Sequence, residues 1–149
     1  MPEKETLERA RKDKREGKAP STQAGEFVRE EIEHIREGKH GARSTKQAIA
    51  IGLSKARRAG VELPPSDTAS KETKEQAKRD LRKAKSGRKR ATSSKRSRAT
   101  RKALKKEGHS AASKKALSRQ ARSAAKRRSA ASRSRSAKKA AATRKRRGS

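Results

Sequence analysis

The sequence predicts a mainly α-helical chain: a small helical hairpin module, a solvated N-terminal helix before it, and a long basic, largely disordered or conditionally helical C-terminal tail. Three observations carry that expectation. Apolar residues recur at helical spacing between residues 24 and 56, glycines punctuate the periodic stretches, and basic charge concentrates in the second half of the chain. The division that follows is 1–20 as charged helix and linker, 21–65 as hairpin module, and 66–149 as basic low-complexity tail.

Residues 2–16 alternate charge signs, with Leu7 and Ala10 as the apolar anchors and Glu5–Arg9 and Glu8–Lys12 as favourable i,i+4 pairs. A solvated helix that frays easily and stops at Gly17 is expected. Pro20 breaks the chain, and Ser21 or Thr22 is placed to cap the next helix. In that helix Ala24, Phe27, Val28, Ile32 and Ile35 form one stripe, while Glu26, Glu30, Glu31, Glu33 and Glu37 make the remaining surface acidic, and Gly38 ends it.

After a short loop, Ser44 and Gln47 form a capping box, in which each side chain serves the other's backbone amide. Ala48, Ile49, Gly52, Leu53 and Ala56 then recur on one stripe. Gly60 supplies a left-handed stop, with Val61 placed for a Schellman contact. Two such helices pack stripe to stripe, Gly52 permitting close approach, with Phe27 and Leu53 central and Val61 and Leu63 folding back before Pro64-Pro65. Residues 67–85 keep a helical, mixed-charge pattern around Leu81. Beyond Gly87 the chain is Lys, Arg, Ser and Ala with loose repeats such as SAASKK and SAAKRR. Like charges at i,i+4 oppose helix there, so only nascent helices near 96–107 and 113–128 are expected, firming on a polyanion.

Composition narrows the function. Of fourteen large apolar residues (Val, Ile, Leu, Met, Phe), nine lie between Phe27 and Leu63, so only that stretch can bury a core. Residues 1–66 hold fifteen basic and eleven acidic residues, whereas residues 67–149 hold thirty-two and five, and no acid follows Glu107. A polyanionic partner is implied. No apolar run approaches a membrane span, no secretory or organellar leader is evident, and the lack of cysteine excludes disulfides and thiolate metal sites.

Candidate nucleic-acid contacts fall in three groups. The loop and helix start at Lys39, His40, Arg43 and Lys46 combine free amides with clustered cations. Arg57 and Arg58 lie at the end of the same helix, where cations also favour the macrodipole. The tail supplies Arg88, Lys89, Arg90, Lys95, Arg96, Arg98, Arg101, Lys102, Lys105, Lys106, Lys114, Lys115, Arg119, Arg122, Lys126, Arg127, Arg128, Lys138, Lys139, Arg144, Lys145, Arg146 and Arg147. Cations without aromatics neutralise phosphates but neither read base edges nor stack on single strands. Duplex DNA is favoured and RNA is possible. Catalysis finds no constellation: His34, His40 and His109 are scattered, and His34 with Glu30 and Glu37 reads as solvated helix surface. No metal, cofactor or enzymatic activity is expected.

The stretch STQAGEFVREEIEHIREGKHGARSTKQAIAIGLSKARRAG, residues 21–60, resembles a family of small, largely uncharacterised basic bacterial proteins that share a KQAIAIGLSxARRAG box and a proline-containing linker. That resemblance implies a bacterial, intracellular protein and transfers no activity to particular positions. The Lys/Ala/Ser tail is similar in composition to those of linker histones and bacterial histone-like proteins. Taken together, the expectation is a non-catalytic, histone-like, nucleoid-associated DNA-binding protein of the cytoplasm. One alternative is an RNA- or ribosome-associated basic protein. Another is an adaptor tethered to nucleic acid by its tail, with a protein partner or self-association through helices 24–37 and 45–59.

Overall fold

A computed structural model describes residues 2–87 and 91–148. Among them are seven α-helices, one 3₁₀ turn and no strand. The helices are α1 Lys4–Arg15, α2 Pro20–Arg36, α3 Thr45–Arg58, α4 Lys71–Lys85, α5 Ser94–Lys106, α6 Lys114–Arg127 and α7 Ala130–Arg147. The chain divides into a first unit ending at Ser113 and a second beginning at Lys114.

The first unit is built on α2 against α3. The face that α3 buries is narrower than its apolar stripe: Ala48 and Ala56 are fully buried with Gly52 between them, and Ile49 and Leu53 flank it half-exposed. Small residues at i, i+4 and i+8 let the two backbones come together. A Cβ placed on Gly52 would lie 2.7 Å from Val28 Cα and 2.9 Å from its amide nitrogen, so no larger residue fits without moving main chain. On α2, Ala24, Phe27, Ile32 and Ile35 are buried. Phe27 clusters with Ala24, Ala56, Val61 and Ala10, and Leu7, Leu53 and Leu63 close over them half-buried.

Glycine ends three helices as the sequence suggests. At Gly60 (φ +99°), the Val61 amide donates to Ala56 and the Gly60 amide to Arg57, the paired bonds of a Schellman cap. Gly17 and Gly38 close α1 and α2 in the same way. The start of α2 departs from expectation: Pro20 is its first residue, and neither Ser21 nor Thr22 caps it. A proline at the first helical position loses nothing, because the amide it lacks has no partner in a helix. Ser44 does cap α3, accepting from the Gln47 amide at 3.2 Å, but the Gln47 side chain returns to the Arg43 amide instead of that of Ser44.

Two features of the expected fold are overturned. The N-terminal helix is not solvated: Thr6, Ala10 and Asp13 are buried, Arg9 reaches Glu26 at 2.7 Å, and the Glu3 amide donates to Glu30 at 3.1 Å. Its buried stripe consists of small and polar residues, which carry little hydropathic signal. The long disordered or conditionally helical tail is also absent. α4 docks on α3 through Ala77 and Asp80, and α5, α6 and α7 are continuous helices. Alanine, lysine and arginine stand near the top of the helix-propensity order, and like-charge repulsion costs only about 0.2–0.5 kcal/mol per i,i+4 pair. Serines take the place of carboxylates as acceptors. Arg127 bonds Ser123 and Arg128 bonds Ser132 along the helix surface, and Ser129 caps α7 by accepting from the Ser132 amide.

The region after α5 is also held in place within the first unit. The Gly41 amide donates to Leu104 and the Ala42 amide to Gly108, while Thr45 and Arg36 donate to the carbonyls of Ala111 and Ala112. Ala111 and Ala112 are buried against α2 and α3. A Cβ on Gly41 would sit 2.0 Å from the Glu107 carbonyl oxygen, so this crossing also requires glycine.

The two glycines of the α2–α3 pair give opposite expectations. Gly25 lies on α2 with no neighbouring atom within 4 Å of where a Cβ would stand, so Gly25→Ala should stabilise by up to about 1 kcal/mol through helix propensity. Gly52→Ala gains the same propensity but meets backbone, and should destabilise by roughly 1–3 kcal/mol. Urea unfolding of both variants checks this. Similar midpoints for the two would contradict the close approach.

Candidate nucleic-acid interface

The cations of the first helices are largely taken up by the fold. Lys39 bridges Glu37 at 3.0 Å and Glu3 at 3.4 Å, and these contacts, Glu37 first, raise its pKa above the ordinary lysine value. Hydrogen bonds from His34 and then Lys39 hold the Glu3 carboxyl below the usual range. His40 faces buried Glu31 at 3.2 Å. Arg43 lies 3.9 Å from Glu107 on the segment that crosses the loop. Lys46 is exposed and makes no ion pair among the described residues. Three of the four therefore face carboxylates, and residues 104–112 cross the loop before α3 at Gly41, Ala42 and Thr45.

At the other end of α3, Arg57 is buried and its Nε donates to the Leu63 carbonyl at 2.9 Å, so it serves the turn after the helix. Burial lowers its pKa, against the opposing charge of Asp80. Arg58 donates to Asp80 at 3.0 Å. Asp80 has no exposed surface and also accepts from Ser54 at 2.6 Å and Gln76 at 3.1 Å. Burial pushes its carboxyl up, but the bonds from Ser54, Arg58 and Gln76 and the Arg58 charge outweigh that, and the net direction is down. This polar cluster pins α4 to α3.

The basic helices differ. The seven bases of α5 form no salt bridge among the described residues. Arg98, Arg101, Lys102, Lys105 and Lys106 lie side by side on the exposed surface of α5. Their spacing is i, i+3, i+4, i+7 and i+8, the pattern that ordinarily marks an apolar stripe, and here it forms a single cationic face. That face runs about 12 Å along the helix. Lys95 and Arg96, in the first turn, are exposed beside it.

In the second unit, Lys114, Lys115, Arg119, Arg122, Lys126 and Arg127 are exposed on α6, and Lys138, Lys139, Arg144, Lys145, Arg146 and Arg147 are exposed on α7, with Arg128 between them in the chain. Neither helix buries a residue. Arg88, Lys89 and Arg90 lie outside the described residues. Among the described residues no helix is long and apolar enough to cross a membrane.

Residues 14–67 match the model of a family of unknown function (DUF6496), about a third of the chain centred on α2 and α3. No curated protein and no solved structure matches.

Sequence reasoning missed the inward-facing acids. Glu30 and Glu31 are 2 % and 1 % exposed, although their charge assigns them to an acidic outer surface. Their spacing from Phe27, i+3 and i+4, already put them on its side of α2. Asp80 gave no comparable signal, since its partners on α3 lie more than twenty residues away.

Asp80 makes the α3–α4 contact sensitive to acid. Its folded pKa is depressed, so the stability it contributes is present above the unfolded value of about 3.9 and is lost as pH falls through the folded value. Asp80→Asn should cost about 1–3 kcal/mol near neutrality and should flatten the decline in melting temperature below about pH 4. Parallel melts between pH 2.5 and 7 read both effects. An unaltered acid limb in the variant would assign that decline to other carboxylates.

Proposed function

We propose that the protein binds duplex DNA through its phosphates, with the basic helices as the contact surface and the α2–α3 pair as the scaffold that holds α5. The observation that carries this is the cationic stripe of α5, five bases on one helical face with no internal counter-charge. Most hairpin cations meet carboxylates or carbonyls, whereas this face is left unneutralised. Duplex DNA offers a negative charge about every 1.7 Å along its axis, and contacts to it gain free energy by releasing counterions. The lack of Trp and Tyr and the single, buried Phe27 leave no aromatic surface for stacking exposed bases. The side chains on α5 to α7 are mostly long cations, serine, threonine and alanine, so sequence readout would be weak.

The adaptor reading is disfavoured by the state of the α2 acids. Glu26 pairs with Arg9, Glu33 with Arg29 and Glu37 with Lys39, while Glu30 and Glu31 are buried. That face offers a partner little free acidity.

Titrating the full chain with mixed-sequence duplexes at 50–200 mM salt tests the proposal. With five or more phosphates neutralised, log K should fall against log salt with a slope of about −4.5 or steeper, equally for unrelated sequences. A flat salt dependence, a strong preference for one sequence, or markedly tighter binding to duplex RNA at matched salt would overturn it.

A further inference from the structure

The geometry points to a divalent transition-metal site, of the kind that takes zinc, at the junction of α1, α2 and the loop before α3, with Glu31, His34 and His40 as ligands. Glu31 and His34 are three residues apart on α2 and so share a face. The left-handed turn at Gly38 (φ +77°) brings His40 back towards them. The two imidazoles meet edge to face with centroids 6.1 Å apart, and one ligand atom from each of the three residues lies within 4.8 Å of the others. Zinc with nitrogen and carboxylate ligands at about 2.0–2.2 Å needs donor atoms roughly 3.3–3.6 Å apart in a tetrahedral site. The donors, within 4.8 Å of one another, exceed that spacing by no more than about 1.5 Å and would have to close on the ion.

Proton and charge arrangement at the junction support the assignment independently. The Nδ1 of His40 lies 3.0 Å from the Gly41 carbonyl oxygen, which only accepts, so Nδ1 carries a hydrogen. The other ring nitrogen, Nε2, then faces Glu31 Oε2 at 3.2 Å. Two lone pairs would oppose each other there unless a cation, metal or proton, lies between them. An imidazole that donates its second nitrogen to a backbone carbonyl is the usual outer-sphere support of a histidine ligand. Glu31 is aligned in turn by Lys55, which binds its other oxygen.

Charge balance points the same way. Lys55 also lies 3.9 Å from Glu30, so one lysine serves two buried carboxylates, and Glu30 Oε1 has no hydrogen-bond partner. Two buried carboxylates at the junction thus share a single lysine, which leaves room for further positive charge. Glu3, 2.9 Å from His34 Nε2 and half-exposed, is placed to be a fourth ligand or to give way to water. Two imidazoles and a carboxylate suit zinc, cobalt or nickel and not magnesium or calcium. Such an ion would tie the N-terminus of α1, the end of α2 and the loop together.

The test uses the full-length, metal-stripped chain without nucleic acid. Calorimetric titration with Zn²⁺ should give one site per chain, Co²⁺ should develop a visible absorption band of a low-coordinate site, and Mg²⁺ should do neither. Saturating Zn²⁺ should raise the melting temperature. His34→Gln and His40→Gln should each weaken Zn²⁺ binding by more than about a hundredfold, while Glu72→Gln, exposed on α4, should leave it unchanged. Circular dichroism confirms that the variants fold, and His34→Gln keeps the test open should His40→Gln unfold. Absence of one-to-one Zn²⁺ binding by the wild type, or undiminished binding by folded His34→Gln, would overturn the site and leave a proton on His40 as the compensating charge.

Discussion

The approach of α3 to α2 at Gly52 is the constraint on which the first unit depends. Because the backbone of Val28 occupies the space where a side chain would stand, the two helices meet nearly main chain to main chain. That closeness lets Lys55 reach inward to Glu30 and Glu31, and it lets Phe27 and Ala56 share a cluster with Val61 from the turn beyond. α1 and α4 then add to a platform already defined. With few large apolar residues available, proximity substitutes for bulk: an interface of alanine and glycine gains dispersion contact from backbone that larger side chains would hold apart.

Charge is sorted along the same architecture. In the first four helices acids and bases meet across helices and turns: Arg9 with Glu26, Lys18 with Asp13, Lys55 with Glu31, Arg58 with Asp80. Such pairs fix orientation more than they add net stability, since desolvation offsets much of the attraction when they are buried. After Glu107 the chain has no acid, and Arg127 and Arg128 turn to serine hydroxyls and main-chain carbonyls. The crossing at Gly41 joins these two regimes, because it anchors the residues that follow α5 on the turn between α2 and α3.

Much of the first unit is legible in the sequence because it is local. Glycine stops at 17, 38 and 60, the Ser44 cap and the apolar stripes of α2 and α3 all depend on residues within a few positions of one another. Contacts over long separations are not legible. The crossing of Gly41 with Glu107 spans sixty-six residues and uses main-chain groups that every residue carries. The docking of α1 buries Thr6 and Asp13 beside the apolar anchor Ala10, and composition alone marks those two polar residues as solvated. Charge obscures the helicity of the basic region. Repulsion between neighbouring cations suggests an unfolded tail, yet it is small beside the combined effect of alanine content and serine acceptors. The loop cations Lys39, His40 and Arg43 are visible as a cluster, but not the carboxylates Glu3, Glu31 and Glu107 that each of them faces.

The central claim is that the fold divides its cations into those it uses internally and those it leaves for a polyanion. Two triple variants of the full chain, compared for melting temperature and for duplex affinity at 0.1 M salt, test that division most directly. Neutralising Lys39, Lys55 and Arg58 to glutamine removes partners of Glu37, Glu31 and Asp80. It should lower the melting temperature by several degrees while changing affinity less than about threefold. Neutralising Arg98, Arg101 and Lys105 on α5 should leave the melting temperature unchanged and weaken binding more than about tenfold. The salt slope should also become shallower, by up to about 0.9 for each phosphate no longer neutralised. Equal losses of affinity from the two sets, or a loss confined to the first, would contradict it.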